Sequence, residues 1–505
     1  MNELYKQSMC LLTDLYELTM AYSHWKSKTT DKEAVYHVFF RKNPFKGGFA
    51  LACGLESVIA HISNFHFTKD DLAYLSTLNG HDGERLFEDR FLHYLSDLRM
   101  SVDIDAVPEG TVVFAHEPLL RVKGPIVECQ LLETALLNFV NFQTLIATKA
   151  ARMREAAGDR NILEFGLRRA QGIDGSLTAS RAAHIGGCDS TSNVLAGKLY
   201  GIPVSGTHAH SWVMSFDDEL EAFLEYAKAM PNNCVFLVDT YDTLEGVSNA
   251  IEAGKWLAKN GHHFLGIRLD SGDLAYLSME ARKLLDAAGF HDALILASND
   301  LDEYIMDSLN NQNAKINVWG IGTKLITAYD QPALGAVYKL AAVRKPGEKW
   351  HYKVKISEQA IKISTPGAQQ IRRFLNDEGF IADMIYNEDD PPGNESTIVD
   401  PLDMTRRKRI DQGTAFADLL VPVFRGGSQV YASPSLTAIR DYAREQLKGL
   451  HYTYKRLLNP HQYPVGLEKS LHELKTELIL KEREHRKQEK LNRSNKPRMP
   501  LGELP

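Results

Sequence analysis

Four mid-chain stretches share one pattern of apolar and polar positions: VFLVDTYDT (235–243), GIRLDSGD (266–273), LILASND (294–300) and NVWGIGT (317–323). Each is an apolar run that closes on Asp, Ser, Asn or Gly, and apolar residues at helical spacing follow it. Such runs, recurring every ~20–30 residues between helical patterns, predict βα units and a parallel sheet. In folds of this kind the chemistry sits at the carboxyl ends of the strands. Asp239, Asp242, Arg268, Asp270, Asp273, Asn299, Gly322 and Thr323 are therefore expected on one rim.

The rhythm begins earlier, with NILEFG (161–166), RAAHIGG (181–187) and IPVSGT (202–207). About seven strands between 161 and 323 approach the eight of a barrel, so an irregular TIM-like α/β barrel is expected over 121–345. A long helical pattern over 130–157 opens it, with Leu131, Leu132, Ala135, Leu136, Phe139 and Val140 near one face. Two linking helices carry end signals. Asp217 precedes Leu220, Phe223, Leu224 and Ala227, and Pro231 stops that helix. Asp273 is placed to cap a helix with Leu277, Ala281, Leu284 and Ala288 inward, ending at Gly289.

Residues 1–120 mix a helix over 13–26, with Thr13 or Asp14 at its cap, and strands such as AVYHVFF (34–40). Beyond Pro346 the pattern turns β-rich, in WHYKVKIS (350–357), GFIADMIY (379–386) and LLVPVFRGG (419–427). Residues 346–480 are expected to join the N-terminal segment in an α+β domain. NEDDPPGNES (387–396) is expected as an exposed loop, and the basic stretch 481–505 as a disordered tail.

The chain has 505 residues, 44% of them hydrophobic and 24% charged, enough for two or three domains with a sizeable core. A net charge of −7 argues against a nucleic-acid partner. No apolar run is long enough for a transmembrane helix, and the N-terminus lacks a basic leader. Five scattered cysteines without a CxxC pair suit a reducing cytoplasm and no zinc site.

Several motifs carry chemistry. GTHAHSWVMSF (206–216) follows a strand and offers His208 and His210, with no HExxH or third histidine to make a metal triad. RLDSGD puts Arg268 and Asp270 on one side of a strand, charges that are costly to bury unless paired or bound to a ligand. GIGTK (320–324) is a glycine turn whose backbone N–H groups suit a phosphate, although it is no Walker loop. EFGLRRAQG (164–172) supplies Phe165, Arg168 and Arg169, and FFRKNPF (39–45) supplies Arg41 and Lys42, basic pairs suited to phosphate or pyrophosphate. Tyr16 and Phe165 are suited to sandwich a flat ring. Together they describe a pocket for a flat, phosphorylated, Mg-associated substrate set.

TDLYELTMA, EFGLRRAQG, GTHAHSW, VDTYDT, RLDSGD, GIGTKLIT, QPALGAVYKL and QYPVGLEKSLHEL stand in the order seen in nicotinate phosphoribosyltransferases. The chain resembles that family over residues 8–480. The resemblance implies a type II phosphoribosyltransferase-like fold and a cytoplasmic homodimer of the ATP-dependent ligase class. It implies that ATP hydrolysis is coupled to joining nicotinate with phosphoribosyl pyrophosphate, giving nicotinate mononucleotide and pyrophosphate in pyridine nucleotide salvage. Ala209-His210-Ser211 matches the family's GTxAHS, so His210 is implied as a transiently phosphorylated histidine. His208 fills the variable position and stays open as a spectator or an alternative acceptor. Tyr16 (from the neighbouring subunit), Thr207 and Arg268 are implied as nicotinate contacts, with Phe165 stacked on the pyridine. Gly322 and Thr323 are implied to meet the 5′-phosphate of the phosphoribosyl group, and Asp239 and Asp270 to lie near the ribose or its Mg2+. Arg41, Lys42 and Arg168 are implied to face pyrophosphate or ATP phosphates.

This chemistry needs no nucleophile triad. The pyridine nitrogen already has a free lone pair at neutral pH, so the site must position two anions and stabilise a cation-like ribosyl carbon. Nicotinamide and quinolinate phosphoribosyltransferases are the alternatives of the same class. A binding protein without turnover and an aldolase-type barrel using Lys324 are the alternatives of other classes.

Overall fold

The computed structural model describes residues 8–393 and 396–494. Its architecture is mixed α/β, built on three larger sheets and one short pair of strands. The sheet that concerns the site is parallel. Its order is Ser190–Thr191, Asn161–Glu164, Val318–Ile321, Leu294–Ala297, Gly266–Leu269 and Val235–Leu237. A single parallel bridge from Thr191 to Val204 adds a seventh position.

Of the expected irregular TIM-like barrel, the parallel βα sheet is present and its closure is not. Among the described residues no ladder joins Val204 to Val235–Leu237, so the sheet keeps an open seam. The strands are only two to four residues long, and residues 205–234 form the helices His210–Val213 and Glu219–Ala229 instead of a pairing strand.

Aspartates punctuate the βα turns for a local reason. Asp242 accepts from the N–H groups of Leu244 and Glu245, Asp273 from Tyr276, and Asp302 from Tyr304 and Ile305. Each satisfies donors that the first helical turn leaves free. The polar residue three positions earlier in each unit (Asp239, Asp270, Asn299) stands at the strand end instead. Asp273 is thus a helix cap as its position predicts, and Asp242, expected only on the rim, is one as well.

Other expectations shift. RAAHI of the RAAHIGG segment is helical, within Ile173–Ile185. Its Ala179, Ala182 and Ala183 are buried, and a Cβ on Gly186 would lie 2.3 Å from the carbonyl oxygen of Ala147 on the long helix Glu133–Ala157. Small residues let the two helices approach closely. Helix Leu274–Ala287 buries Leu274, Ala275, Ser278, Ala281 and Leu285, so Leu284 faces outward. The cap of helix Glu219–Ala229 is Asp218, not Asp217. Helix Lys469–Ser494 runs into the stretch 481–494 expected as a tail, and 495–505 lie outside the described residues.

The seven-stranded sheet is antiparallel and draws on both ends of the chain. Glu33–Phe39 pairs with Val337–Arg344 on one side and Leu120–Pro125 on the other, and Asp103–Ala106 pairs with Val421–Arg425. The third sheet is formed within 369–468. A buried polar tie joins the long helix Glu133–Ala157 to helix Glu303–Asn311. Lys149 and Arg152, both buried on the long helix, meet Glu303 at 2.7 and 2.8 Å. No helix of the described residues is long and apolar enough to cross a membrane.

Candidate active site

The strand ends of the parallel sheet frame two adjoining hollows of about 280 and 180 Å3 that share Phe165, Arg168 and Arg268. The turn carrying Phe165 and Arg168 is fixed from below. Glu164, buried at the end of its strand, accepts from Ser180 Oγ at 2.9 Å, Thr191 Oγ1 at 2.5 Å and the N–H of Gly166. Phe165 donates its own N–H to the Ile321 carbonyl at 2.7 Å. Gly320 lets the ring lie close, since a Cβ there would be 2.9 Å from Phe165 Cε2.

Arg268 is the centre of the arrangement. Nε donates to Ser298 Oγ at 2.8 Å, Nη1 to Thr207 Oγ1 at 3.0 Å and Nη2 to Asp270 Oδ1 at 2.9 Å. Its Cζ lies 5.3 Å from the Phe165 ring centroid. Three tethers leave two guanidinium N–H groups uncommitted, on a side chain that lines both hollows. That is the geometry of a clamp for a planar anion.

Asp270 also accepts from Ser298 Oγ, and its Oδ2 lies 3.8 Å from His210 Nε2. Burial pushes its carboxyl up, but the Ser298 hydroxyl and the Arg268 guanidinium outweigh this and hold it below the ordinary value. Asp239 Oδ2 accepts from the Asp270 N–H at 3.0 Å and Ser271 Oγ at 2.5 Å, while its buried Oδ1 has no hydrogen-bond partner. His210 opens a short helix, half exposed, with Nδ1 at 3.1 Å from Thr240 Oγ1. The second hollow continues past Asn299 and Asp300, both with positive φ (92° and 36°), to Gly322 and Thr323.

The two histidines separate cleanly. His208 is buried among Phe223, Tyr226 and Phe236, and its Nε2 is occupied by the Leu237 N–H. His208 lines the first hollow with Nε2 occupied, whereas His210 is half exposed with Nε2 turned towards Asp270.

Phe165, Arg168, Thr207, Arg268, Asp270, Gly322 and Thr323 therefore line the hollows, with Asp239 and His210 beside them. Three sequence candidates lie elsewhere in this chain. Tyr16, on helix Leu15–Lys26, is half exposed and does not line either hollow; burial and the charges of Glu133 and Glu17 push its phenol to about 12. Arg41 and Lys42 line a separate cleft of about 840 Å3, together with Lys46, His116, Lys362 and Arg406. Sequence reasoning missed Ser298, Thr240 and Glu164, which act through other residues. All three stood inside quoted segments, Ser298 in LILASND, Thr240 in VFLVDTYDT and Glu164 in EFGLRRAQG, but nothing singled them out there.

A rim of anion-binding and acidic groups at the carboxyl ends of a parallel sheet defines an enzyme site for a planar anion and a phosphate. Sequence models of the nicotinate phosphoribosyltransferase N-terminal domain, family and C-terminal domain match residues 11–141, 161–375 and 368–475. The chain is 45% identical over 465 residues to the nicotinate phosphoribosyltransferase of Bacillus subtilis, covering 91% of this chain and 93% of that protein. It is 35% identical over 523 residues to that of Homo sapiens, covering 92% and 95%. A crystal structure of human nicotinic acid phosphoribosyltransferase matches with a TM-score of 0.80 at 33% identity, covering 92% of this chain and 99% of that one. A nicotinate-nucleotide pyrophosphorylase from Pyrococcus furiosus shares the fold, with a TM-score of 0.65 at 22% identity over 89% of this chain and 97% of that one. The chain belongs to the nicotinate phosphoribosyltransferase family.

Proposed function

We propose that this protein joins nicotinate to phosphoribosyl pyrophosphate and couples the step to ATP: His210 takes the γ-phosphoryl group as ADP leaves, and water then releases it as phosphate. The observation that carries the reading is Arg268, held in one orientation by Ser298, Thr207 and Asp270 beside the Phe165 ring. Its free N–H groups take the ring carboxylate, and Phe165 takes the face of the pyridine. The pyridine nitrogen forms a bond to the anomeric carbon as the bond from that carbon to pyrophosphate breaks. No proton is moved, so the residues work by orientation and charge. Backbone N–H groups at Gly322 and Thr323 hold the 5′-phosphate, and Arg168 faces the leaving pyrophosphate.

Asp239 and Asp270 would be the residues to hold a Mg2+ ion, because Asp239 Oδ1 is unpartnered and one or two carboxylates suffice for that ion. Such an ion would neutralise charge on the departing pyrophosphate. His210 lies 3.8 Å from Asp270, so a phosphoryl group on it adds negative charge beside that position. We further place Tyr16, Arg41 and Lys42 in the site of a second copy. They lie outside this chain's hollows, and the rim exposes Leu167, Ile173, Val194, Met214 and Tyr241. A homodimer in which each copy completes the other's site accounts for both.

The test is nicotinate mononucleotide formation with and without ATP, run beside nicotinamide and quinolinate. Turnover with nicotinate, stimulated by ATP in wild type and ATP-independent in His210→Asn, supports the reading. Unchanged ATP stimulation in His210→Asn refutes the phosphohistidine, and preference for another pyridine refutes the substrate. A monomer by light scattering refutes the shared site.

A further inference from the structure

The turn 206–210 lies at the open seam of the parallel sheet. Strand Val235–Leu237 is the edge there, and it pairs with Gly266–Leu269 on its other side. Val238 donates its N–H inward, to the Arg268 carbonyl at 3.2 Å. N–H groups alternate in direction along a strand, so that of Leu237 points outward into the seam. Leu237 is buried, and its outward N–H has no strand beside it. A buried amide without a partner is strongly disfavoured.

His208 supplies the partner. Its Nε2 lies 3.2 Å from the Leu237 nitrogen and accepts that bond. The bond fixes the tautomer: Nε2 carries no proton, and Nδ1–H faces the Ala209 carbonyl at 3.5 Å. The ring sits among Phe223, Tyr226 and Phe236, with centroids at 5.9, 5.0 and 6.2 Å. Burial pushes the imidazole down to about 4, so the acceptor stays neutral at working pH.

Both neighbours of this anchor reach the site. Thr207 Oγ1 donates to the His208 carbonyl at 2.9 Å and accepts from Arg268. His210 meets Thr240, three residues beyond Leu237, and stands 3.8 Å from Asp270. We infer that His208 is a positioning residue: its imidazole takes the place of a missing strand at the seam, and thereby holds Thr207 against Arg268 and His210 against Thr240 and Asp270. The consequence for His210 phosphorylation rests on the function proposed above; the seam itself does not.

The cage and the hydrogen bond make opposite demands, which gives the test. His208→Phe fills the aromatic cage but cannot accept from Leu237. His208→Gln fits the cage less well but places an acceptor near Nε2. Thermal unfolding of both variants reports folding. Phosphorylation of His210 from ATP, and kcat and KM for nicotinate, report positioning. His208→Phe is expected to phosphorylate His210 and turn over nicotinate at least ~10-fold more slowly than wild type. His208→Gln is expected to recover most of that loss, even where its unfolding temperature is the lower of the two. Activity that follows stability, with Phe equal to or better than Gln, overturns the inference.

Amide exchange at Leu237 decides the seam whatever becomes of the ATP reading. Protection in wild type and His208→Gln, with at least ~10-fold faster exchange in His208→Phe, supports it. Equal exchange in all three proteins, or free exchange in wild type should the variants not fold, overturns it. Absence of phosphohistidine in wild type with the exchange pattern intact would refute only the earlier reading.

Discussion

Arg268 shows what a single residue contributes and how much of that the chain discloses. An arginine two positions before an aspartate in an apolar strand was readable as either an ion pair or a ligand contact, because such charges are costly to bury alone. Only the family resemblance pointed to a nicotinate contact. Of its three tethers Asp270, on the same strand, was readable as a partner, whereas Ser298 and Thr207 were not, since they come from two other strand ends. A lysine at this position keeps the charge but cannot hold three tethers and a carboxylate at once. Arg268→Lys is expected to lower kcat/KM for nicotinate by about 100-fold or more, on the order of 3 kcal/mol, with the larger change in KM. Steady-state kinetics check this, and an unchanged KM would remove Arg268 from nicotinate binding. The aspartates give the complementary lesson. Asp239 and Asp242, like Asp270 and Asp273, look alike in the sequence because both strand ends and helix starts favour the residue. The second of each pair spends its carboxylate on helix N–H groups, which the sequence indicated for Asp273 and the structure adds for Asp242.

Elements were legible where their periodicity was long. The helix over 130–157 is present as Glu133–Ala157, and four strand ends lie within the segments that marked them. RAAHIGG failed because its alanines suit a close helix–helix contact as well as a strand, and only the partner helix decides between them. Contacts between elements far apart in sequence were not legible at all. Lys149 and Arg152 on the long helix share Glu303 on helix Glu303–Asn311, and all three are buried. Removing the carboxylate leaves two buried cations, of which Lys149 retains Asp330 at 3.3 Å. A buried pair broken on one side costs about 3–5 kcal/mol. Glu303→Ala is therefore expected to lower the urea midpoint substantially, far more than any exposed pair such as Lys255–Glu252. A midpoint within error of wild type would mean that packing, not this charge cluster, joins the two helices.

At the scale of the whole molecule, the interior holds neutral histidines, and their sum sets the acid limit of the fold. Burial pushes His61, His184 and His208 each down to about 4 from an ordinary value of 6.5, and drives His37 well below that ordinary value. The unfolded chain takes up protons near pH 6.5 while the folded chain does not, so stability falls as pH drops from about 6.5 towards 4. A shift of this size on a fully buried group is worth about 3 kcal/mol at most. Buried carboxyls oppose it: Glu17, Glu128 and Glu133 are raised by burial, and Glu117 well above its ordinary value, so each favours the folded chain as it is protonated. These carboxyls act between their ordinary and their raised values, which overlaps the histidine window. His116, also pushed down to about 4, and the lowered carboxyls of Glu109, Asp189 and Asp270 act in the same sense as the other histidines and outweigh them. Urea midpoints at pH 7.5, 5.5 and 4.5 should therefore decline in that order. His61 isolates the cause. Neither of its ring nitrogens has a hydrogen-bond partner, and it packs on Phe65 and Phe139, so it stabilises nothing through polar contacts. His61→Leu is expected to match or exceed wild type at pH 7.5 and to lose less stability by pH 4.5, since one proton uptake by the unfolded chain is gone. A variant as acid-sensitive as wild type would show that His61 is protonated without cost in the folded protein, and that the acid limit originates elsewhere.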